Sequence, residues 1–319
     1  MAEVVDALPA EALAAEALAP DAVVRARPRP AWRATLADYV TLTKPRIMSL
    51  LVLTAVCAMF AAAGGSPGSV QLVALVIGGA LACGGASALN HVLDRDIDQL
   101  MGPRTASRPV AAGRVSPRRA VAFGLGLSAL SFVLLTVLAN LLAAVLALSG
   151  GAFYVVIYTL WLKRSTAQNI VIGGAAGAIP PLAGWAAANG HLALGAWLLF
   201  GIVLLWTPPH FWALALLLSP HYERAKVPML PVVRGVSVTA VQVLLYTLAL
   251  VAFSLLPAVL GTFGLLYACS AVVFGGIFLA LAWRMWRAPT SARAAVLFHY
   301  SLLYLSLLFV AVAADAVVR

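Results

Sequence analysis

Past residue 38 this chain almost lacks negative charge. Residues 39–319 carry five acidic side chains, and three of them, Asp94, Asp96 and Asp98, fall together. Charge of either sign is scarce, at 10% of 319 residues against 63% hydrophobic, where soluble domains are about a quarter charged. That poverty excludes an ordinary soluble domain and indicates a polytopic membrane protein. Cysteine is nearly missing too: Cys57, Cys83 and Cys269 lie singly inside apolar runs. With no paired spacing, they support no zinc site, redox motif or disulfide framework, and read as small packing residues. The net charge of +10 raises nucleic acid as a partner. The basic residues, however, occupy short segments between long apolar runs rather than one polar face, which excludes that class.

The first 36 residues alternate Ala with Glu3, Asp6, Glu11, Glu16 and Asp21, then turn basic and Pro-containing at Arg25, Arg27, Pro28, Arg29 and Pro30. Such a composition predicts a disordered cytoplasmic tail. A transit peptide is poor in acids and a signal peptide has an apolar stretch after its charges, so neither fits. A bacterial inner membrane is the simplest address.

Apolar runs long enough to cross about 30 Å of hydrocarbon predict nine helices, near 47–64, 71–90, 119–138, 141–161, 169–188, 194–216, 237–256, 263–283 and 295–315. Positive charge tests that count, because basic residues gather in loops on the cytoplasmic side. The segments after the second, fourth, sixth and eighth spans hold Lys and Arg, and the opposite connections hold none. Of the 21 basic residues, all but Arg319 fall on one side. The expected fold is therefore an all-α bundle of nine transmembrane helices over residues 37–319, N-terminus cytoplasmic and C-terminus periplasmic. The two long charged segments, 91–118 and 217–236, lie four spans apart, which suggests two related four-helix halves plus a ninth helix.

Carboxylates at the edge of hydrocarbon are costly to desolvate unless a cation, proton pathway or partner charge compensates them. Asn90, Asp94 and Asp98 recur every four residues, so a helix places them on one face with Arg95 and Asp96 turned elsewhere. Mg²⁺ (or Mn²⁺) suits that face, because magnesium takes one or two carboxylates and completes its shell with water and substrate phosphate oxygens. Arg104, Arg108 and Arg114 follow closely, and arginine suits bidentate phosphate binding. Carboxylates for a metal followed by arginines for an anion describe a diphosphate site. The competing reading is a solvated loop in which Asp96 or Asp98 pairs with the arginines.

The stretch NHVLDRDIDQLMGPRTASRP at 90–109 closely resembles the signature of the protohaem IX farnesyltransferases, within the UbiA-type intramembrane prenyltransferases. LTKPR at 42–46, the run from Tyr158 to Trp185, WTPPHFWALAL at 206–216 and VPMLPVV at 227–233 match in the same order. The resemblance implies a nine-helix bundle that transfers farnesyl from farnesyl diphosphate to a vinyl carbon of haem B, forming haem O for haem-copper oxidases. It implies catalytic roles for Asn90, Asp94 and Asp98, with Asp94 and Asp98 on the metal. Arg104, Arg108, Lys163, Arg164 and Lys226 would then hold the diphosphate. Haem A synthase or oxidase assembly proteins are candidate partners.

The match departs in the second long loop, Ser219-Pro220-His221-Tyr222-Glu223-Arg224-Ala225-Lys226, where an acidic pair usually precedes the Tyr and a Gly stands at 226. Three readings follow. Glu223 shifts in as a metal ligand, or Lys226 and His221 replace part of the metal's electrostatic role, or the site is weakly active. Pro208 and Pro209 interrupt the sixth span and would form a pocket wall near His210, Phe211 and Trp212. His210 and His91 are candidate haem ligands, His210 equally a hydrogen-bonded structural residue. Gly173, Gly174 and Gly177 read as close-packing positions, and Tyr158, Trp161, Trp185 and Trp206 as interfacial anchors or cavity lining. An aromatic- or quinone-directed prenyltransferase is the alternative enzyme, and a non-enzymatic haem carrier the alternative outside enzymes.

Overall fold

The computed structural model describes residues 31–319, so the tail expected over 1–36 lies outside the described residues up to residue 30. Its last six residues are helical, within α1 (Ala31–Thr43). Nine of the described helices are long and apolar enough to cross a membrane. They are α2 (Pro45–Ala62), α3 (Ser69–Leu93), α6 (Pro117–Leu138), α7 (Leu141–Ser165), α8 (Asn169–Asn189), α9 (Leu194–Leu217), α11 (Leu230–Val259), α12 (Leu265–Arg287) and α13 (Ser291–Val318). The chain is a multi-pass membrane protein. Short helices α4 (Arg95–Met101) and α5 (Pro103–Ala106) fold the first long charged segment, and α10 (Ser219–Arg224) the second.

Local chemistry sets the ends. Pro45 and Pro117 occupy the first helical turn of α2 and α6, where a missing N–H costs nothing. The Asn140 side chain accepts from Ala143 N at 2.9 Å to start α7, while its amide donates to Ala186 O at 2.7 Å and so joins α7 to α8. At the uncharged end, Asp315 on α13 is 1% exposed and accepts from Gly264 N at 2.6 Å and Tyr267 N at 3.3 Å. It thereby caps α12 and attracts that helix's positive end. Arg319 pairs with Asp315 at 3.1 Å and donates to Thr262 O.

Small residues set how closely the spans approach. A Cβ at Gly184 of α8 would stand 1.9 Å from Ala55 O of α2, and one at Gly85 of α3 would stand 2.6 Å from Gly124 O of α6. Such contacts are what draws helices together where hydrocarbon supplies no hydrophobic drive. Of the three expected close-packing glycines, Gly173 meets Tyr158 and Gly174 meets Thr207, while Gly177 faces open space. The structure departs from expectation in two places here. α11 begins at Leu230 rather than near 237, because helical residues precede a break at Gly235 (φ 78, ψ 173). α9 runs unbroken through Pro208 and Pro209. Of the tryptophans expected as interfacial anchors or cavity lining, Trp185 and Trp206 are buried, Trp206 donating to Ser301 O at 2.8 Å, and Trp161 is exposed.

Asp315→Ala removes the cap of α12 and strands Arg319. A loss of about 1–3 kcal/mol is expected, read as a lower unfolding temperature of the purified protein; an unchanged melt would show that α12 needs no cap.

Candidate active site

The acidic motif straddles the junction of α3 and α4. Asp94 N donates to Asn90 O at 2.9 Å and Asp98 N to Asp94 O at 2.8 Å, so helical bonding passes through the junction and keeps Asn90, Asp94 and Asp98 on one face. All three are buried, Asp94 and Asp98 to 1% exposure. Ion pairs from different parts of the chain compensate them. Lys163 Nζ lies 2.5 Å from Asp94 Oδ2, and Arg108 Nη1 lies 2.5 Å from Asp98 Oδ1. The Asn90 amide donates to Asp94 Oδ2 at 2.8 Å and to Thr159 Oγ1 at 3.1 Å, while its oxygen accepts from Lys44 Nζ at 2.8 Å.

Asp96 faces the other way, held bidentately by Arg164 with both contacts at 2.7 Å, in a pair that is largely exposed. Arg164 also donates to Leu93 O. Its guanidinium keeps the Asp96 carboxyl well below the ordinary range. Burial has the opposite effect on Asp98, raising its pKa with help from the Asp94 charge, against the lowering influence of Arg108. One pair of the competing reading, Asp98 with Arg108, therefore exists, while Asp96 pairs with Arg164 from another segment, and Asp98 is buried rather than in a solvated loop.

Two carboxylate oxygens have no partner: Asp94 Oδ1 and Asp98 Oδ2 are buried without a hydrogen bond. Each is an acceptor in a place where leaving it unpaired is costly. A divalent cation bound by one oxygen from each carboxylate fits that pair. Among the described residues no three His, Cys, Asp or Glu side chains come together as a metal-binding group. A cation here would therefore draw the rest of its shell from Asn90, water or a ligand, as magnesium commonly does.

The second loop meets the first without bringing its carboxylate. Glu223 is exposed and joins no cluster with Asp94 and Asp98. Lys226 is also exposed, in a left-handed conformation (φ 54) that turns the chain after α10. What touches the first loop is His221, whose ring lies where a Cβ on Gly102 would come within 3.1 Å. Gly102 itself is at φ 145 between α4 and α5, so that position needs glycine on both counts. Arg104 is exposed beside it, and Arg114 pairs with Asp38 at 3.0 Å.

His91 is 2% exposed and neither ring nitrogen has a partner. His210 meets Ser301 Oγ at 2.7 Å through Nδ1 and stacks between Trp206 and Phe298, at 4.3 and 4.8 Å. Of the two candidates, only His91 has both nitrogens free.

Sequence reading missed two contributors, Lys44 and Thr159. Lys44 looked like a topology charge in LTKPR, yet it reaches Asn90 from a left-handed backbone (φ 51). Its pKa is lowered to about 7 by burial, then by Arg108 and Lys163. Thr159 and Lys163 reach the site because Phe153–Leu162, inside α7, is π-helical, a wider winding often found at functional sites. A charged residue directly before a proline was the signal for Lys44; periodicity carries none for Thr159.

If the unpartnered oxygens form a cation site, Asp98→Asn and Asp94→Asn should each weaken Mn²⁺ binding by about tenfold or more, read by electron paramagnetic resonance of free Mn²⁺. Asp96→Asn should leave binding unchanged, and retention in both motif variants would refute the site.

The pattern of the UbiA prenyltransferase family matches residues 51–308. Proteins named protoheme IX farnesyltransferase are 50% identical to this chain over 93% of its length in Chloroflexus aurantiacus, 89% in Roseiflexus sp. and 90% in Gloeobacter violaceus. The chain spans about half the length of the first two, 50% and 53%, and 94% of the third. In fold it resembles a digeranylgeranylglyceryl phosphate synthase, with a TM-score of 0.74 at 18% identity, covering 89% of this chain and 99% of that one. It also resembles a UbiA homologue from Archaeoglobus fulgidus bound to GPP and Mg²⁺, with a TM-score of 0.61 at 14% identity, covering 86% and 99%. A motif that keeps its helical face, a nine-span bundle of matching shape and a family pattern over most of the length agree: the chain belongs to the UbiA prenyltransferase family.

Proposed function

We propose that this chain transfers the farnesyl group of farnesyl diphosphate to a vinyl carbon of haem B, water completing the hydroxyethylfarnesyl group of haem O, with diphosphate released. The observation that carries the reading is the buried motif face, where Asp94 and Asp98 each keep one oxygen free beside Lys163 and Arg108. The 50% identity to protoheme IX farnesyltransferases, one of them covered over 94% of its length, supports haem B as acceptor over an aromatic or quinone precursor.

Asp94 and Asp98, with Asn90, would hold the divalent cation, as the Mg²⁺-bound Archaeoglobus homologue suggests. Mg²⁺ bound there would neutralise diphosphate charge and favour departure of the leaving group. Departure also builds charge on the oxygen that leaves with the diphosphate. Lys163 and Arg108 are charges on that side already oriented by Asp94 and Asp98, so they stabilise it without reorganising, and Lys44, held by Asn90, adds a third when protonated. Exposed Arg104 and Lys226 would close over the anion from solvent.

The farnesyl tail fits the apolar crevice between α3, α6 and α7, about 220 Å³, lined by Ala86, Leu89, Phe132, Gly151 and Val155. Dry walls keep water from the allylic cation until the electron-rich vinyl group attacks it. His91, with its free ring nitrogens, is the residue we assign to haem iron. In this reading the motif faces the cytoplasm of a bacterium across its inner membrane, because the basic segments share that side.

Purified protein given haem B, farnesyl diphosphate and Mg²⁺ should yield haem O by mass spectrometry. Asp94→Ala should lower the rate about a hundredfold or more, and EDTA should abolish it. No product from folded protein, or product from an aromatic acid instead, would overturn the haem reading.

A pH dependence follows from Lys44. In the free protein it loses its proton as pH rises through about 7, and a bound diphosphate favours the charged form. Binding therefore takes up a proton above that pH, and diphosphate affinity should fall as pH rises. Lys44→Arg, charged throughout, should flatten the calorimetric affinity profile; an equally steep profile would remove Lys44 from the anion site.

A further inference from the structure

Away from the motif, a groove of about 320 Å³ opens between the start of α8, the second half of α9 and the start of α11. Its lining is unusual for a membrane-spanning surface. Gln168, Trp212, Arg234, Gln242 and Tyr246 all contribute to it, with Leu230 beside them, and no carboxylate does. Trp212 is 2% exposed and its indole N–H has no acceptor. Tyr246 stands edge-on to that indole at 5.3 Å. Among the described residues, nothing pairs with the Arg234 guanidinium or bonds the side-chain carboxamides of Gln168 and Gln242, while the Gln168 backbone N–H donates to Thr166 Oγ1.

Burying an indole N–H without a partner is costly, and a glutamine within a span is costly as well. Three separate helices converge on those groups here, which points to a ligand that uses them. The backbone break at Gly235 (φ 78) sets the turn bearing Arg234 off from the rest of α11. Beyond the break, Gln242 lies further along α11 within the span. The groove thus runs from an exposed arginine at the charged end of the bundle into the apolar span. Donor groups predominate, one formal positive charge has no counter-ion, and Leu230 and the Tyr246 ring give the walls an apolar part.

We propose that this groove is a binding site for one anionic phospholipid of the leaflet on the basic side. Its phosphate lies on Arg234 and Gln168, the ester region reaches the Trp212 N–H and Gln242, and the acyl chains leave along Leu230 and Tyr246. Guanidinium is well matched to phosphate oxygens, and juxtamembrane basic residues are drawn to anionic lipid. The shared chemistry is phosphate recognition, so free phosphate is the rival source. The apolar wall favours the lipid.

The test is native mass spectrometry of the full chain in detergent micelles, supplied with equal amounts of phosphatidylglycerol and phosphatidylcholine. The expected result is one phosphatidylglycerol retained in preference to phosphatidylcholine, unaffected by inorganic phosphate. Arg234→Gln should weaken that retention about fivefold, and Trp212→Phe, which keeps an aromatic ring but removes the donor, should weaken it too. If Trp212→Phe does not fold, Arg234→Gln at its exposed position carries the test alone. Equal retention of both lipids, full retention by Arg234→Gln, or displacement of the lipid by inorganic phosphate would overturn the proposal.

Discussion

Two carboxylates kept at the edge of hydrocarbon constrain most of this molecule. Asp94 and Asp98 are almost wholly buried, and a buried charge without a partner costs several kcal/mol. The protein compensates each with one cation, Lys163 from the end of α7 and Arg108 from the loop after α5. That requirement ties the fourth span and the first long loop to the end of the second span. It also leaves half of each carboxylate unpartnered, so the same groups that join the elements remain open to a cation. Stability and chemistry draw on opposite oxygens of the same side chains.

Asn90 links this pair to the rest of the bundle. Its amide binds Asp94 and Thr159 while its oxygen takes Lys44, so one residue connects the start of the first span, the end of the second and the fourth. The π-helical stretch in α7 belongs to the same geometry. Wider winding shifts the register of later residues, and Thr159 and Lys163 both point into the site from it. At the other end of the bundle Asp315 shows the contrast. It also is buried, but its oxygens are taken up by the α12 cap and Arg319, leaving a joint rather than a site.

The second long loop explains how this chain departs from the pattern it resembles. Where the pattern usually carries an acidic pair, this chain has Pro220 and His221, and the space beside Gly102 is filled by the His221 ring. Glu223 remains at the surface. At this end of the bundle only Asp94 and Asp98 are buried and aligned, so the charge balance of the site leans on Lys163 and Arg108, with Lys44 a third cation when protonated.

Much of this was legible in the residues. Apolar run lengths and the one-sided distribution of Lys and Arg specify nine spans, because hydrocarbon thickness and backbone hydrogen bonding leave few alternatives. The four-residue spacing of Asn90, Asp94 and Asp98 specifies a shared face, because helical periodicity is local. Partners are not local. Lys44 meets Asn90 across 46 positions and Lys163 meets Asp94 across 69, distances over which sequence spacing carries no geometry. Which cation compensates which acid, that Glu223 stays outside and that Trp212 ends beside Arg234 were decided only when helix packing brought separate spans together. Sequence alone determined the membrane-spanning helices and the chemical character of the motif; tertiary structure decided its electrostatics, because charge interactions depend on separation in space and on the water that packing excludes.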